Sequence, residues 1–278
     1  MKVLPAPPID SVAMVDQLVA DRQAGVNAAW FTSLQAGWKT QVQTYLNTHG
    51  RPDLNAQFNG TEDEAKRFLT LYASPQLGHV QKPILEDMRN HGLLECPACG
   101  DAGKPGTLDH YLPQTTHPHL AVLPHNLAPM CQTCQWAKTN KTVGGDGQRL
   151  FLHPYYDTVI AQQVINLTIV GPYTAPWHLL SVNGPAAGAN SATIENHIRE
   201  LQLRQRFADY FVTAWTRLLR NVEQMREARE DVTAQLRGFR RRAAHAGLNS
   251  WDHVFYDGVI DNAALMAFLE SGKFPDFL

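Results

Sequence analysis

Apolar residues between Ile9 and Thr48 recur at spacings of three and four: Val12, Val15, Leu18 and Val19, then Ala29, Trp30, Leu34, Trp38, Val42, Tyr45 and Leu46. That is the period of a helix with one buried face, so helices are expected here. Further on, GTEDEAKRFLTLYAS places Thr61 at an N-cap with acids in the first turn, and KPILEDMRNHG ends on Gly92 as a C-cap. Residues 1–92 therefore read as an all-helical N-terminal region. Between Leu93 and Thr142 the pattern breaks into short apolar runs among Cys, His, Pro and Gly. That is the look of a small module with little core of its own, supported by a metal ion, and it is assigned to 93–158. In 159–278, QVINLTIVG and HLLSV read as short strands, and PAAGANSAT as a turn-rich linker ending in a capping residue. Ile194 to Arg242 then has the pattern of one long helix or two, rich in arginine. The fold class expected is α+β, mostly helical.

Composition narrows the partners. A chain of 278 residues, 44% hydrophobic, has enough apolar material for a sizeable core. No run approaches the roughly 18 apolar residues of a membrane span, and MKVLPAPPIDS has prolines where a signal peptide needs its apolar segment. A cytoplasmic protein with no membrane partner is expected. A net charge of −2 excludes a generally basic nucleic-acid coat, so polyanion contacts would have to come from local patches. One such patch is the arginine series through the C-terminal helices, ending in the run Arg240, Arg241 and Arg242. It reads either as a nucleic-acid track or as a solvated face with i,i+4 pairs. Trp30, Trp38, Trp215 and Trp251 are expected in the core.

The four cysteines change the picture most. Cys96 and Cys99 form one CxxC pair, and Cys131 and Cys134 a second after 31 intervening residues. Each pair can put two thiolates on one tetrahedral ion, so a structural Zn2+ is expected, pinning two distant chain segments. Disulfides or an iron centre are the other readings. A compact zinc ribbon separates its pairs by about 15–20 residues, so the longer insert here must carry something extra. It carries TLDHYLPQTTHPHLAVLPHNLAP.

Asp109 and His110 of LDHYLP and Asn126 of PHNLAP, set between the two knuckles, and Gln135 of CQTCQWAK, directly after the second, resemble the HNH, or ββα-metal, endonuclease superfamily. The branch in question has its hairpin and helix clasped by two CxxC pairs, and the resemblance covers about Leu94 to Lys141. It implies a zinc-clasped ββα-metal nuclease core between helical regions, hydrolysing phosphodiester bonds of nucleic acid, DNA foremost. His110 would be the general base, Asn126 would position it, and Asp109 with Gln135 would hold one Mg2+ or Mn2+. Gln135 stands where that family has Asn or His, offering the same amide oxygen on a longer arm. Lys138, and His153 of FLHPYYD, would touch the substrate together with Arg240, Arg241 and Arg242; Asp157 is a candidate beside His153. The helices before the module and FLHPYYD after it are similar to nucleases of Septu-type anti-phage systems, which implies antiviral defence with an ATPase partner. Two other readings stand beside this one: a non-catalytic zinc module that binds nucleic acid or a partner protein, and an RNA-cleaving (tRNA) effector nuclease. His117, His119 and His125 crowd the same loop without ligand spacing and are expected to be surface or structural.

Overall fold

In the computed structural model, which describes residues 1–275, α1 (Ser11–Ala20) starts at Asp10, whose carboxylate accepts from the N–H groups of Val12 and Ala13. It buries Met14, Val15, Leu18 and Val19 against α2 (Ala28–Asn47), which presents Phe31, Trp38, Val42 and Tyr45. Each such side chain contributes about 1.5–3 kcal/mol when fully removed from water. The helix α3 (Glu62–Ala73) begins with a complete capping box between Thr61 and Glu64, and Phe68 on its inner face meets Trp38 edge to face at 5.0 Å between ring centroids. The chain ends α4 (Gln81–Arg89) two residues earlier than Gly92 suggests. Asn90 is the cap, its N–H returning to the carbonyls of Glu86 and Asp87, so the glycine is not needed to stop the helix.

Two short antiparallel strands follow, β1 (Thr107–His110) and β2 (Leu127–Met130), in the register Thr107↔Met130 to His110↔Leu127. Leu85 of α4 packs with Leu108 and Leu127 beneath this hairpin. Directly after β2 comes α5 (Gln132–Lys138), capped at Cys131. Residues Leu4–Leu93 and Lys104–Asp157, which hold all of these elements, form one of two units; the other holds Met1–Val3, Leu94–Gly103 and the chain from Thr158 onward.

In that other unit, β3 (Ile165–Val170) pairs antiparallel with β4 (Trp177–Val182), Ile165 opposite Val182, so both expected strands form. The expected linker PAAGANSAT is instead largely helical. It contributes most of α6 (Gly184–Ala187), a 3-10 turn and the start of α7 (Ser191–Glu200), whose cap Asn190 makes no side-chain bond. The long arginine-rich pattern divides into three helices rather than one or two: α7, α8 (Leu203–Glu227) and α9 (Val232–Ala243). Gln202 and Arg229 both adopt positive φ at the breaks, which no continuous helix accommodates. The unit closes with α10 (Trp251–Ile260) and α11 (Ala263–Ser271). α10 lies so close to β3 that a Cβ at Gly258 would sit 2.6 Å from the carbonyl oxygen of Leu167. Trp38, Trp215 and Trp251 are buried, as expected for core residues. Trp30 is half-buried and lies under the guanidinium of Arg67.

Candidate metal centre and its surroundings

The first knuckle is a tight turn. Gly100 donates to the carbonyl of Cys96 at 2.8 Å, and Cys96 donates to Asp101 at 3.0 Å. Gly100 has a φ of +82°, and a Cβ there would lie 2.2 Å from the carbonyl of Asn249, so this position requires glycine on both counts. The second knuckle is the N-terminus of α5, where Gln135 donates to the carbonyl of Cys131 at 3.0 Å. The four sulfur atoms lie within 4.8 Å of one another. Tetrahedral Zn–S bonds of about 2.3 Å imply S···S distances of about 3.8 Å, so only small shifts separate this arrangement from a closed site. Cys96, Cys99 and Cys134 are buried, and Cys131 is partly covered. Arg206 places a guanidinium nitrogen 3.4 Å from Cys99 Sγ, a cation suited to the excess negative charge of four thiolates on one divalent ion. These donors fit a structural zinc, since four thiolates leave no position for water or substrate.

Asp109 and His110 do not share a site. Because β1 stays paired through His110↔Leu127, consecutive side chains project to opposite faces of the hairpin. The His110 ring packs edge to face on Tyr72 at 4.6 Å, and its Nε2 lies 2.9 Å from the carbonyl oxygen of Ala121. Burial pushes its pKa down to about 4. Asp109 turns toward α5, where Lys138 Nζ meets its carboxylate at 3.0 Å and also donates to the His110 carbonyl at 2.7 Å. Both partners are nearly sealed from solvent, with 2% of the Lys138 side chain and 8% of that of Asp109 exposed. Burial raises the Asp109 pKa, and the Lys138 charge opposes that rise. Among the described residues the Gln135 side chain makes no hydrogen bond to either. Asn126 ties the intervening loop: its Oδ1 accepts from Leu112 N–H at 2.8 Å, and its Nδ2 donates to the carbonyls of Leu112 and Leu120.

The other histidines are interior groups. His117, His119 and His125 are all buried, which excludes the surface alternative. His125 bonds Ser11 at 2.8 Å, and burial among Phe58 and Phe68 drives the His119 pKa down to about 3. His153 is fully buried; its Nδ1 accepts from Tyr155 N–H and its Nε2 lies 3.0 Å from the Tyr45 hydroxyl. Asp157 holds Arg149 at 2.8 Å.

Many of the arginines have internal work that the sequence did not disclose. Arg204 grips Glu195 through two bonds, Arg217 meets Asp252 and Arg240 meets Asp257. Arg226 donates to the carbonyls of Phe268, Leu269 and Gly272, closing the end of α11. By contrast Arg237, Arg241 and Arg242 of α9 are exposed and, among the described residues, make no ion pair; Arg242 lies over Phe239.

Over 72 residues the chain is 36% identical to Protein ea31 of Escherichia phage lambda, a match that covers 26% of this chain and 24% of that protein. No family model matches the chain, and no solved structure matches it. The resemblance to HNH nucleases and to Septu-type systems therefore draws no support from these comparisons.

The nuclease reading is corrected by the donor set. Among the described residues, the group of side chains able to hold a metal ion is the all-cysteine cluster, with no histidine or carboxylate in it. The carboxylate expected to hold Mg2+ or Mn2+ is neutralised by a buried ammonium, and the expected base points to the other face of the hairpin with Nε2 engaged. An endonuclease centre built on His110, Asp109 and Gln135 is thus not assembled, and the hydrolase and antiviral assignments that depended on it go with it. What stands is a mostly helical α+β chain with a buried cysteine cluster suited to structural zinc. Among the described residues no helix is long and apolar enough to cross a membrane.

Proposed function

We propose that this protein is a non-catalytic, zinc-ordered module that binds nucleic acid. The observation that carries the reading is the exposed arginines of α9: among the described residues Arg237, Arg241 and Arg242 make no ion pair, whereas Arg240 beside them is held by Asp257. Arg237 and Arg241 stand one turn apart with Arg242 next in the chain, and guanidinium groups so placed suit phosphate oxygens. The paired Asp109–Lys138 and the closed thiolate set suit a role in which the module supports a binding surface and performs no chemistry. The ββα trace of β1, β2 and α5 would then serve as architecture.

The test is binding of a fluorescent oligonucleotide by anisotropy across a salt series. Changing Arg237, Arg241 and Arg242 together to Ala should weaken binding and flatten the plot of log affinity against log salt. Each lost phosphate contact removes about 0.9 from the slope on duplex and about 0.7 on single strands. An unaltered slope would overturn the assignment of this face, and absence of oligonucleotide binding altogether would leave a protein partner as the ligand.

A further inference from the structure

A cavity of about 300 Å³ opens where the turn after α1, the start of α2 and the outer side of α3 meet. Its wall holds Arg22, Lys66 and Arg67, with Asn27 and Thr70 as neutral polar groups and Phe31 at its apolar side. Two guanidinium nitrogens of Arg22, Nε and one Nη, are buried with no hydrogen-bond partner among the described residues. Leaving such donors unmet costs free energy, and a turn of the Arg22 side chain toward an anion in the cavity would recover it.

The neighbouring carboxylates do not fill that role. Asp21 accepts from the N–H of Val80, Glu62 and Asp63 hold Lys66 on the exposed side of α3, and Glu64 takes the indole N–H of Trp30 and caps its own helix. Arg67 lies over the Trp30 ring at 4.9 Å and, among the described residues, makes no ion pair. The 20-residue α2 also directs its N-terminus here, and its cap Asn27 makes no side-chain bond to the helix, so the positive end of the helix dipole adds to the field.

We propose that this cavity binds a phosphate monoester, its oxygens on the Arg22 guanidinium with Arg67 beside them, and its organic part against Phe31. A pair of guanidinium groups suits a dianion better than a carboxylate, and the planar Arg22 fork suits two phosphate oxygens. The volume lies at the lower end for small-ligand pockets, about 300–1,000 Å³, which leaves room for a phosphate and a small attached group. The phosphate can come from a free small ester or from the 5′ end of a nucleic-acid strand.

Calorimetric titration of the full chain with phenyl phosphate, benzoate, and a short oligonucleotide carrying either a 5′-phosphate or a 5′-hydroxyl separates these cases. Phenyl phosphate should bind saturably at one site, and Arg22→Gln should weaken it about tenfold or more, the loss expected for one charge-assisted contact. Arg67→Gln provides a second variant at a less buried side chain, with the same direction of effect. A 5′-phosphate preference that disappears in Arg22→Gln identifies the strand end as the source; phenyl phosphate binding without that preference identifies a free ester. Absence of saturable binding of either phosphate probe, equal binding of benzoate, or affinities unchanged in both variants overturns the proposal.

Discussion

Replacing Lys138 with Met removes the cation that neutralises Asp109 while keeping most of the apolar stem that packs in the core. The pair is 3.0 Å apart and nearly sealed from solvent, and breaking a buried pair from one side costs about 3–5 kcal/mol because the other charge stays behind. Urea unfolding followed by tryptophan fluorescence should show the loss; at a slope of about 1–3 kcal/mol/M, the midpoint falls by about 1 M or more. Burial already raises the Asp109 pKa, with Lys138 opposing, so the substitution raises it further. A carboxyl whose folded pKa is raised is favoured in its protonated form, so its contribution is present at low pH and lost as pH rises through the folded value. The deficit relative to wild type should therefore shrink as pH falls from 7 toward the unfolded carboxyl value of about 3.9. Adding Asp109→Asn to Lys138→Met mimics the protonated form and should recover most of the loss at neutral pH. A single variant within about 1 kcal/mol of wild type, or a double variant no more stable than the single, would refute the structural ion pair.

Three further outcomes follow from the same geometry. Elemental analysis should find about one zinc per chain, and Cys96→Ser or Cys131→Ser should lower the melting temperature together with the zinc content; a metal-free protein of unchanged stability contradicts the centre. His110 and His119 are buried neutral, with pKa values lowered to about 4 and about 3. Their stabilisation is complete above the ordinary histidine value of about 6.5 and is lost as pH falls through the folded values, at up to about 2.7 kcal/mol per pH unit for two protons. In urea unfolding, His119→Phe should lower the slope between pH 6 and 5 by about 1.4 kcal/mol per pH unit, one proton's worth, while His117, His125 and His153, whose pKa values burial also lowers, keep their share; an unchanged slope removes the contribution assigned to His119. Arg226→Ala should cost about 2–3 kcal/mol by orphaning the carbonyls of Phe268, Leu269 and Gly272, with hydrogen exchange rising in α11; unaltered exchange there contradicts its closing role.

What was legible in the sequence was local or repeated. Thr61 and Glu64 lie three residues apart and form their capping box without help from distant chain, and the alternation in QVINLTIV foretells β3. The cysteine spacing announced its own cluster. What was not legible depended on apposition across the fold. Asp109 and His110 are adjacent in sequence, yet a strand that stays paired to its last residue sends them apart. Lys138 follows Cys134 by four residues on α5, and that spacing, which places both on the buried face, was the available signal that this lysine is an interior partner. For Arg226 no such signal exists, because its carbonyl partners lie more than forty residues on, at the end of another helix.

The central claim is that this module binds nucleic acid without cutting it. One gel experiment reads both properties: an end-labelled DNA strand, its duplex and an RNA of the same sequence, each incubated with the zinc-loaded protein in Mg2+ or in Mn2+, then run in native and denaturing halves. The account predicts a retarded band in the native half that weakens in the Arg237, Arg241 and Arg242 triple-Ala variant, with full-length strand in every denaturing lane. Shortened strands that vanish with EDTA and with His110→Ala would contradict it.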